Sequence, residues 1–286
     1  MAALSARLCC IRRSKAMSDA TTCSSLPQSH WVIGDISSQS TGMLGNLKSP
    51  YNKLDGTHVK VENEDGPEAI AASDLKFYYT PDTNTHFDEV NCYHAVDRVY
   101  RYFKDLGFRG FTVNNPYGKA ATPRGQICAN VHVGTNFDNA FYRPATGEIY
   151  FGDASHPTNP SGLRDLAKES DVIFHEFGHA VLDEVRPGIG GTDGAALHEA
   201  YADYFACSFT NPPEPELGKY VRPGPGMIRN LNNTNKYPGA PTQPHTRGLV
   251  WGGACWDLRK KVGGEAADYL IFGSLLFITT TAPTFK

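Results

Sequence analysis

An α+β fold is predicted for this 286-residue chain by three observations. Short alternating apolar segments are confined to residues 57–151. Helical spacing of apolar residues dominates after residue 162, and a Pro- and Gly-containing stretch, Pro157 to Gly162, separates the two. The length allows one large domain or two lobes around a sizeable core. In order, the expected parts are a poorly structured arm or pro-segment remnant (1–56), a β-rich N-terminal lobe (57–160) and a helical lobe (161–286).

The arm is polar, rich in Ser and Gly, and without a clear period. Period-two alternation predicts strands at His58–Val61 and Lys76–Tyr79. Cys92, Val96, Val99, Phe103 and Leu106 recur at helical spacing, and Gly107 closes that helix. Further strands are expected at Gly110–Val113, Gln126–Val133 and Glu148–Phe151, with a short segment at Asn139–Tyr142. In the second lobe, one helix starts between Ser161 and Asp171 and stops before Pro187. Helices over 194–208, 246–261 and 265–278 follow, with a Pro-rich loop from Asn211 to Pro244 after the first of them. The Gly188–Gly194 connector lacks the Lys-Ser/Thr ending and the preceding strand of a phosphate loop, so it reads as a turn. Thr279–Lys286 ends where another helix would be expected, which reads as a truncated C-terminus.

Composition excludes several classes of partner. With 27 basic and 30 acidic residues the formal charge is -3, and no basic run is interleaved with aromatics, so nucleic acid is not an expected partner. The longest apolar run, Leu270–Ile278, is too short to span a bilayer, so no membrane partner is expected. Arg7 interrupts the first residues and Arg12-Arg13 follow, which leaves no secretory signal peptide in view. The seven cysteines are odd in number and none has C-x-x-C spacing. A cysteine zinc site is therefore not expected, while their pairing stays open.

The chemistry concentrates in Asp171–Val181. His175 and His179 are four residues apart, so a helix stacks them on one face within reach of a single divalent ion. Glu176, about a hundred degrees round the axis, can lean on a water bound to that ion. A third donor must come from another element. The next helix offers Glu199, twenty residues after His179, and Asp203 one turn further on. Around the histidines lie Val172, Ile173, Phe174, Phe177, Ala180, Val181, Leu182 and Val185, the pattern of a buried core helix. Burying two His and one Glu there without a metal would be costly, which favours the metal reading.

With one zinc ion held by His175, His179 and Glu199, the pKa of a bound water falls toward about 7. Glu176 then serves as general base and afterwards as acid, and the chain reads as a zinc hydrolase acting on peptide bonds. Asp203, one turn after Glu199 and pointing the same way, is expected to accept the outer N–H of a ligand histidine, His175 being the expected partner, or else to be a solvated carboxylate. A donor for the developing oxyanion is also needed, and His245, at the start of a tryptophan-rich helix, is the candidate, although a His after a Pro-rich loop is more often plain surface. His94, His132 and His198 are most simply structural, with His198 adjoining a ligand.

These residues resemble those of the thermolysin-like zinc metallopeptidases, the gluzincins, in which His-Glu-x-x-His is followed by Glu-x-x-x-Asp on the next helix. Here the matches are His175-Glu-x-x-His179 and Glu199-x-x-x-Asp203. Asn139-Ala140 resembles the family's Asn-Ala segment, which implies that they hold a peptide substrate in an edge-strand manner. The His-x-x-Gly-x-x-Trp stretch at His245 is similar to the fungalysin-like branch and its bacterial relatives, which implies transition-state stabilisation by that His. The resemblance runs from about residue 85 to 278. It implies a two-lobed fold with the His-Glu helix at the base of the cleft, metalloendopeptidase activity and secretion.

Departures from the family pattern are specific. His198 stands where Asn usually precedes the third ligand, and no Tyr lies between Val185 and Leu197. Asp171 matches a position that helps hold calcium in thermolysin, but Glu214 and Glu216 match its acidic partners only loosely, so calcium is left open. Two other readings stand beside the endopeptidase. A zinc aminopeptidase would carry an upstream Gly-x-Met-Glu-Asn segment, which is missing here, and a catalytically inactive relative would serve as a binding module. Substrate specificity and oligomeric state are not legible.

Overall fold

The computed structural model describes residues 31–33, 41–79, 86–111, 125–239 and 241–285. A short antiparallel pair, β1 (Trp31–Ile33) and β2 (Thr41–Met43), precedes a four-stranded sheet. That sheet comprises β3 (Val59–Asn63), β4 (Ile127–Val131), β5 (Ala140–Arg143) and β6 (Glu148–Phe151), in the order β3-β4-β6-β5. β3, β4 and β6 are parallel, and β5 runs antiparallel on the β6 edge. Helix α1 (His86–Leu106) lies between β3 and β4 in sequence, as a parallel crossover requires. Every residue of β4 and β6 is buried, including Asn130 and Glu148, so burial extends to both faces of these strands.

The second half is helical. A 3₁₀ turn (Leu166–Lys168) leads into α2 (Ser170–Val185), followed by α3 (Gly191–Phe209), α4 (Pro244–Val262) and α5 (Gly264–Ser274). Two-residue strands β7 (Glu216–Leu217) and β8 (Arg229–Asn230) pair within the loop between α3 and α4. Helices are thus segregated from a small sheet, the predicted α+β class.

One aromatic cluster ties the halves together. Phe103 of α1 meets Phe177 of α2, Phe205 of α3 and Phe272 of α5 at ring-centroid distances of 5.9, 5.0 and 6.0 Å. The Phe103–Phe205 pair is edge-on, a geometry that adds about 0.5–1.5 kcal/mol beyond area burial, and the other two are tilted. Because Phe177 and Phe205 lie on the helices that carry the His-Glu pair and Glu199, the cluster also fixes the angle between those two helices.

Several expected boundaries shift. Leu44, Leu47 and Leu54, expected in the arm, are buried in the main core, and Tyr93 of α1 donates its hydroxyl hydrogen to the Gly45 carbonyl. Chain upstream of residue 57 therefore packs on the same core as the strands that follow it. Lys76–Tyr79 is not a strand. No neighbouring strand pairs with it among the described residues; Phe77 is buried, and the Tyr79 hydroxyl is bonded to the Ile70 carbonyl. Gly110 and Phe111 are likewise irregular, and the rest of the strand expected there, Thr112 and Val113, lies outside the described residues. Helix α3 begins at Gly191 rather than 194, and α5 ends at Ser274 before a 3₁₀ turn, Leu275–Phe277. No helix is long and apolar enough to cross a membrane among the described residues. Cys92, Cys128, Cys207 and Cys255 are free and buried, while Cys9, Cys10 and Cys23 lie outside the described residues.

Candidate metal centre and active-site cleft

Helix α2 owes its place to its apolar girdle: Ile173, Phe177, Val181 and Leu182 have no exposure at all. The same burial carries His175, Glu176 and part of His179 inside. Gly178, between the two histidines, decides how near α3 can come. A Cβ there would sit 3.1 Å from the Cα of Ala202, so a larger residue would press α3 outward by a few tenths of an ångström. Gly248 plays the same part for α4, since a Cβ would lie 2.8 Å from the Ala196 carbonyl oxygen and 3.2 Å from the Glu199 Cβ. Gly178→Val is therefore expected to splay α2 from α3, lowering the unfolding free energy by about 1–3 kcal/mol as overpacked cores do. Zinc affinity should fall with it, and a denaturant titration paired with a zinc titration checks both.

Close approach brings three donors together. His175 Nε2 lies 3.0 Å from His179 Nε2, 3.4 Å from Glu199 Oε2, and His179 Nε2 is 3.7 Å from Glu199 Oε1. Four-coordinate zinc with bonds of about 2.0–2.1 Å sets its ligand atoms roughly 3.3 Å apart, so these separations suit one shared ion. Glu176 Oε2 is buried with no hydrogen-bond partner, as expected of an oxygen turned toward a water on the ion. The donor set fits zinc.

Electrostatics agree with that division. Burial would lower His175, but Asp203, with Oδ1 2.8 Å from Nδ1, outweighs it and raises the ring to about 10. Asp203 accepts from Nδ1, which leaves Nε2 to face the cluster, the arrangement that orients a ligand imidazole. Burial raises Glu199, yet hydrogen bonding to His175 and the charge of His179 hold it well below the carboxylate range. It therefore stays anionic. Burial pushes Glu176 up to about 7, opposed by His175, by Arg229 and by a backbone hydrogen bond from Tyr142.

Seven of the eight residues expected at the site, Asn139, Ala140, His175, Glu176, His179, Glu199 and His245, line one cleft of about 530 Å³, and Asp203 lies behind it against His175. Ala140 opens β5, the edge strand, so one side of that backbone carries no sheet partner among the described residues. His245 Nε2 is 3.2 Å from Glu199 Oε2, which brings it to the edge of the donor cluster with its side chain half exposed. His198 Nδ1 lies 3.0 Å from His179 Nδ1, where the departure from Asn was noted.

Two residues at the site were not anticipated. Arg229 grips Asp203 with Nε to Oδ2 and Nη2 to Oδ1, both at 2.7 Å, a bidentate pair almost wholly buried. Gln243 caps α4 by accepting the Thr246 N–H on Oε1. That bond fixes its amide, so Nε2 donates to His245 Nδ1 at 2.7 Å. His245 consequently carries its own proton on Nε2, aimed at the cluster, and burial, first among its causes, lowers its pKa so that it stays a neutral donor. The Gln two residues before His245 was the available signal; Arg229, isolated in a Pro-rich loop, gave none.

Asp171 does not gather the other carboxylates. Its Oδ2 accepts the Gly218 N–H at 2.9 Å, while Glu214 and Glu216 both face Lys219. No calcium cluster forms around it among the described residues.

A two-lobed α+β fold with this pair of helices defines the thermolysin-like class of metallopeptidase. The family described as "Thermolysin metallopeptidase, catalytic domain" matches residues 37–183, and the chain belongs to that family. It is 28% identical over 210 residues to bacillolysin of Bacillus cereus, covering 68% of this chain and 36% of that protein. It is also 27% identical over 115 residues to protease PrtS of Photorhabdus sp. (strain Az29), covering 40% and 27%. The chain thus spans about a third of the length of the curated relatives it matches. Among solved structures, the precursor of protealysin, a metalloproteinase from Serratia proteamaculans, superposes with a TM-score of 0.59 at 14% identity over 79% of this chain and 77% of that one.

Proposed function

We propose that the chain is a zinc metalloendopeptidase in which His175, His179 and Glu199 hold the ion. The observation that carries this reading is the 3.0–3.7 Å spacing of their donor atoms, with Glu176 opening onto the same cleft. Zinc at such a site polarises a carbonyl and makes a bound water acidic. Glu176 takes the proton from the attacking water and gives it to the leaving amine. Neutral His245 offers its Nε2–H to the developing oxyanion, held in that role by Gln243. A peptide or protein substrate lies along β5, its backbone pairing with Asn139 and Ala140 as an added edge strand. Asp203, backed by Arg229, keeps His175 in register.

The zinc-loaded chain is expected to digest casein and an N-blocked peptide, to stop when a chelator strips the metal, and to resume when zinc returns. Cleavage restricted to peptides with a free amino terminus would favour the aminopeptidase reading. A zinc-loaded, folded chain that cuts neither substrate would favour the inactive binding module.

A further inference from the structure

We propose that Asp88, His132 and Asp165 form a second divalent-metal site, separate from the catalytic cleft and suited to a transition-series cation such as zinc or manganese. Their ligand atoms lie within 4.8 Å of one another. They come from three elements: Asp88 from the first turn of α1, His132 from just beyond β4, and Asp165 from the cap of the 3₁₀ turn before α2. None of them lines the cleft around Glu176.

The independent pointer to a ligand is Asp88. It has no solvent exposure, and neither carboxylate oxygen makes a hydrogen bond. A buried carboxylate left so is costly, and natural structures satisfy it with a partner or a cation. The nearest cation, the Lys168 ammonium, stands 3.6 Å from Asp88 and 3.9 Å from Asp165, outside hydrogen-bonding distance of both.

His132 supplies the second argument. Its Nδ1 lies 2.6 Å from Asp153 Oδ1, which accepts the Nδ1 hydrogen, so that Nε2 is the nitrogen left to bind a metal once it is deprotonated. That Nε2 lies 3.7 Å from Asp88 Oδ2. Positive charge belongs between these two groups, supplied by a metal ion or by a proton on the ring. A carboxylate behind the histidine and a cation in front is the usual metal arrangement. Charge agrees for the metal-bound form: with His132 neutral, three ionised carboxylates (Asp88, Asp153, Asp165) against one ammonium (Lys168) leave two negative charges, which one divalent ion cancels. Imidazole with two carboxylates favours the transition series over calcium, which prefers six to eight oxygens. The rival account is a proton shared between Asp88 and Asp165, with His132 charged.

Zinc and manganese are the probes. The chelator-stripped full chain is expected to take up two equivalents of zinc and to keep one in a His175→Ala/His179→Ala chain, where the catalytic cluster is gone. Adding Asp88→Asn to that chain should remove the remaining equivalent, and Asp153→Asn should weaken it about 10- to 100-fold. In the wild-type background, Asp88→Asn alone should lower two equivalents to one. Circular dichroism reports that each variant folds, and Asp88→Leu, which fills the same space without charge, serves if Asp88→Asn does not. A folded His175→Ala/His179→Ala chain that takes up neither metal, or an Asp88 variant that leaves the wild-type count unchanged, overturns the proposal. The two sites are read separately, so failure here leaves the catalytic reading untouched.

Discussion

Glu176→Gln is expected to cost peptide hydrolysis about 10²- to 10⁴-fold in kcat, the usual worth of a positioned general base. KM should change little and one equivalent of zinc should remain at the catalytic cluster, because Glu176 is not among the three donors spaced for a shared ion. Loss confined to kcat marks an interaction made in the transition state only. The amide matches the carboxyl in shape, so packing against the buried wall of α2 is preserved. A pH profile gives a second readout. Burial holds the Glu176 carboxyl at about 7, and a nearby dication pulls it lower. The base works deprotonated, so kcat/KM should fall as pH drops through that value, and this acid limb should disappear in the variant. A Glu176→Gln chain with wild-type kcat would remove the carboxylate from the mechanism.

How much of this was legible follows from periodicity. Two imidazoles at i and i+4 in an apolar helix declare their face by spacing alone, and Glu199 with Asp203 repeats the device one helix later. What periodicity does not encode was missed. Leu44, Leu47 and Leu54 are buried without any regular interval, because irregular chain is held by contacts from α1 and β3 rather than by its own pattern. Lys76–Tyr79 has the alternation of a strand, but a strand needs a neighbour, and here only Phe77 is taken into the core. The neighbours of His132, Asp153 and Asp88, lie 21 residues downstream and 44 upstream, a cluster that no spacing declares. The closest approach of α2 and α3 depends on Gly178, a residue that sequence patterns treat as a break rather than as a contact.

Arg229→Met should cost the fold more than any substitution on the cleft surface. Arg229 and Asp203 form a bidentate pair whose side chains are 13% and 2% exposed. Breaking such a pair from one side leaves a buried carboxylate without its cation, a loss of about 3–5 kcal/mol. Total stability of a domain is only about 5–15 kcal/mol, so the shift should be plain in a denaturant midpoint. Changing both partners, Arg229→Met with Asp203→Leu, should cost less than the two single changes added together, because no charge is then stranded. Zinc affinity separates the roles. Asp203→Asn should weaken zinc about 10- to 100-fold through the lost bond to His175 Nδ1. Arg229→Met keeps that bond and should weaken zinc less. Arg229 also lowers the Glu176 pKa, so its removal should raise the pH at which the rate begins to fall on the acid side. An Arg229→Met chain as stable as the wild type, with an unmoved acid limb, would mean that Asp203 is neutralised by something other than this guanidinium, the His175 ring it already bonds being the nearest group.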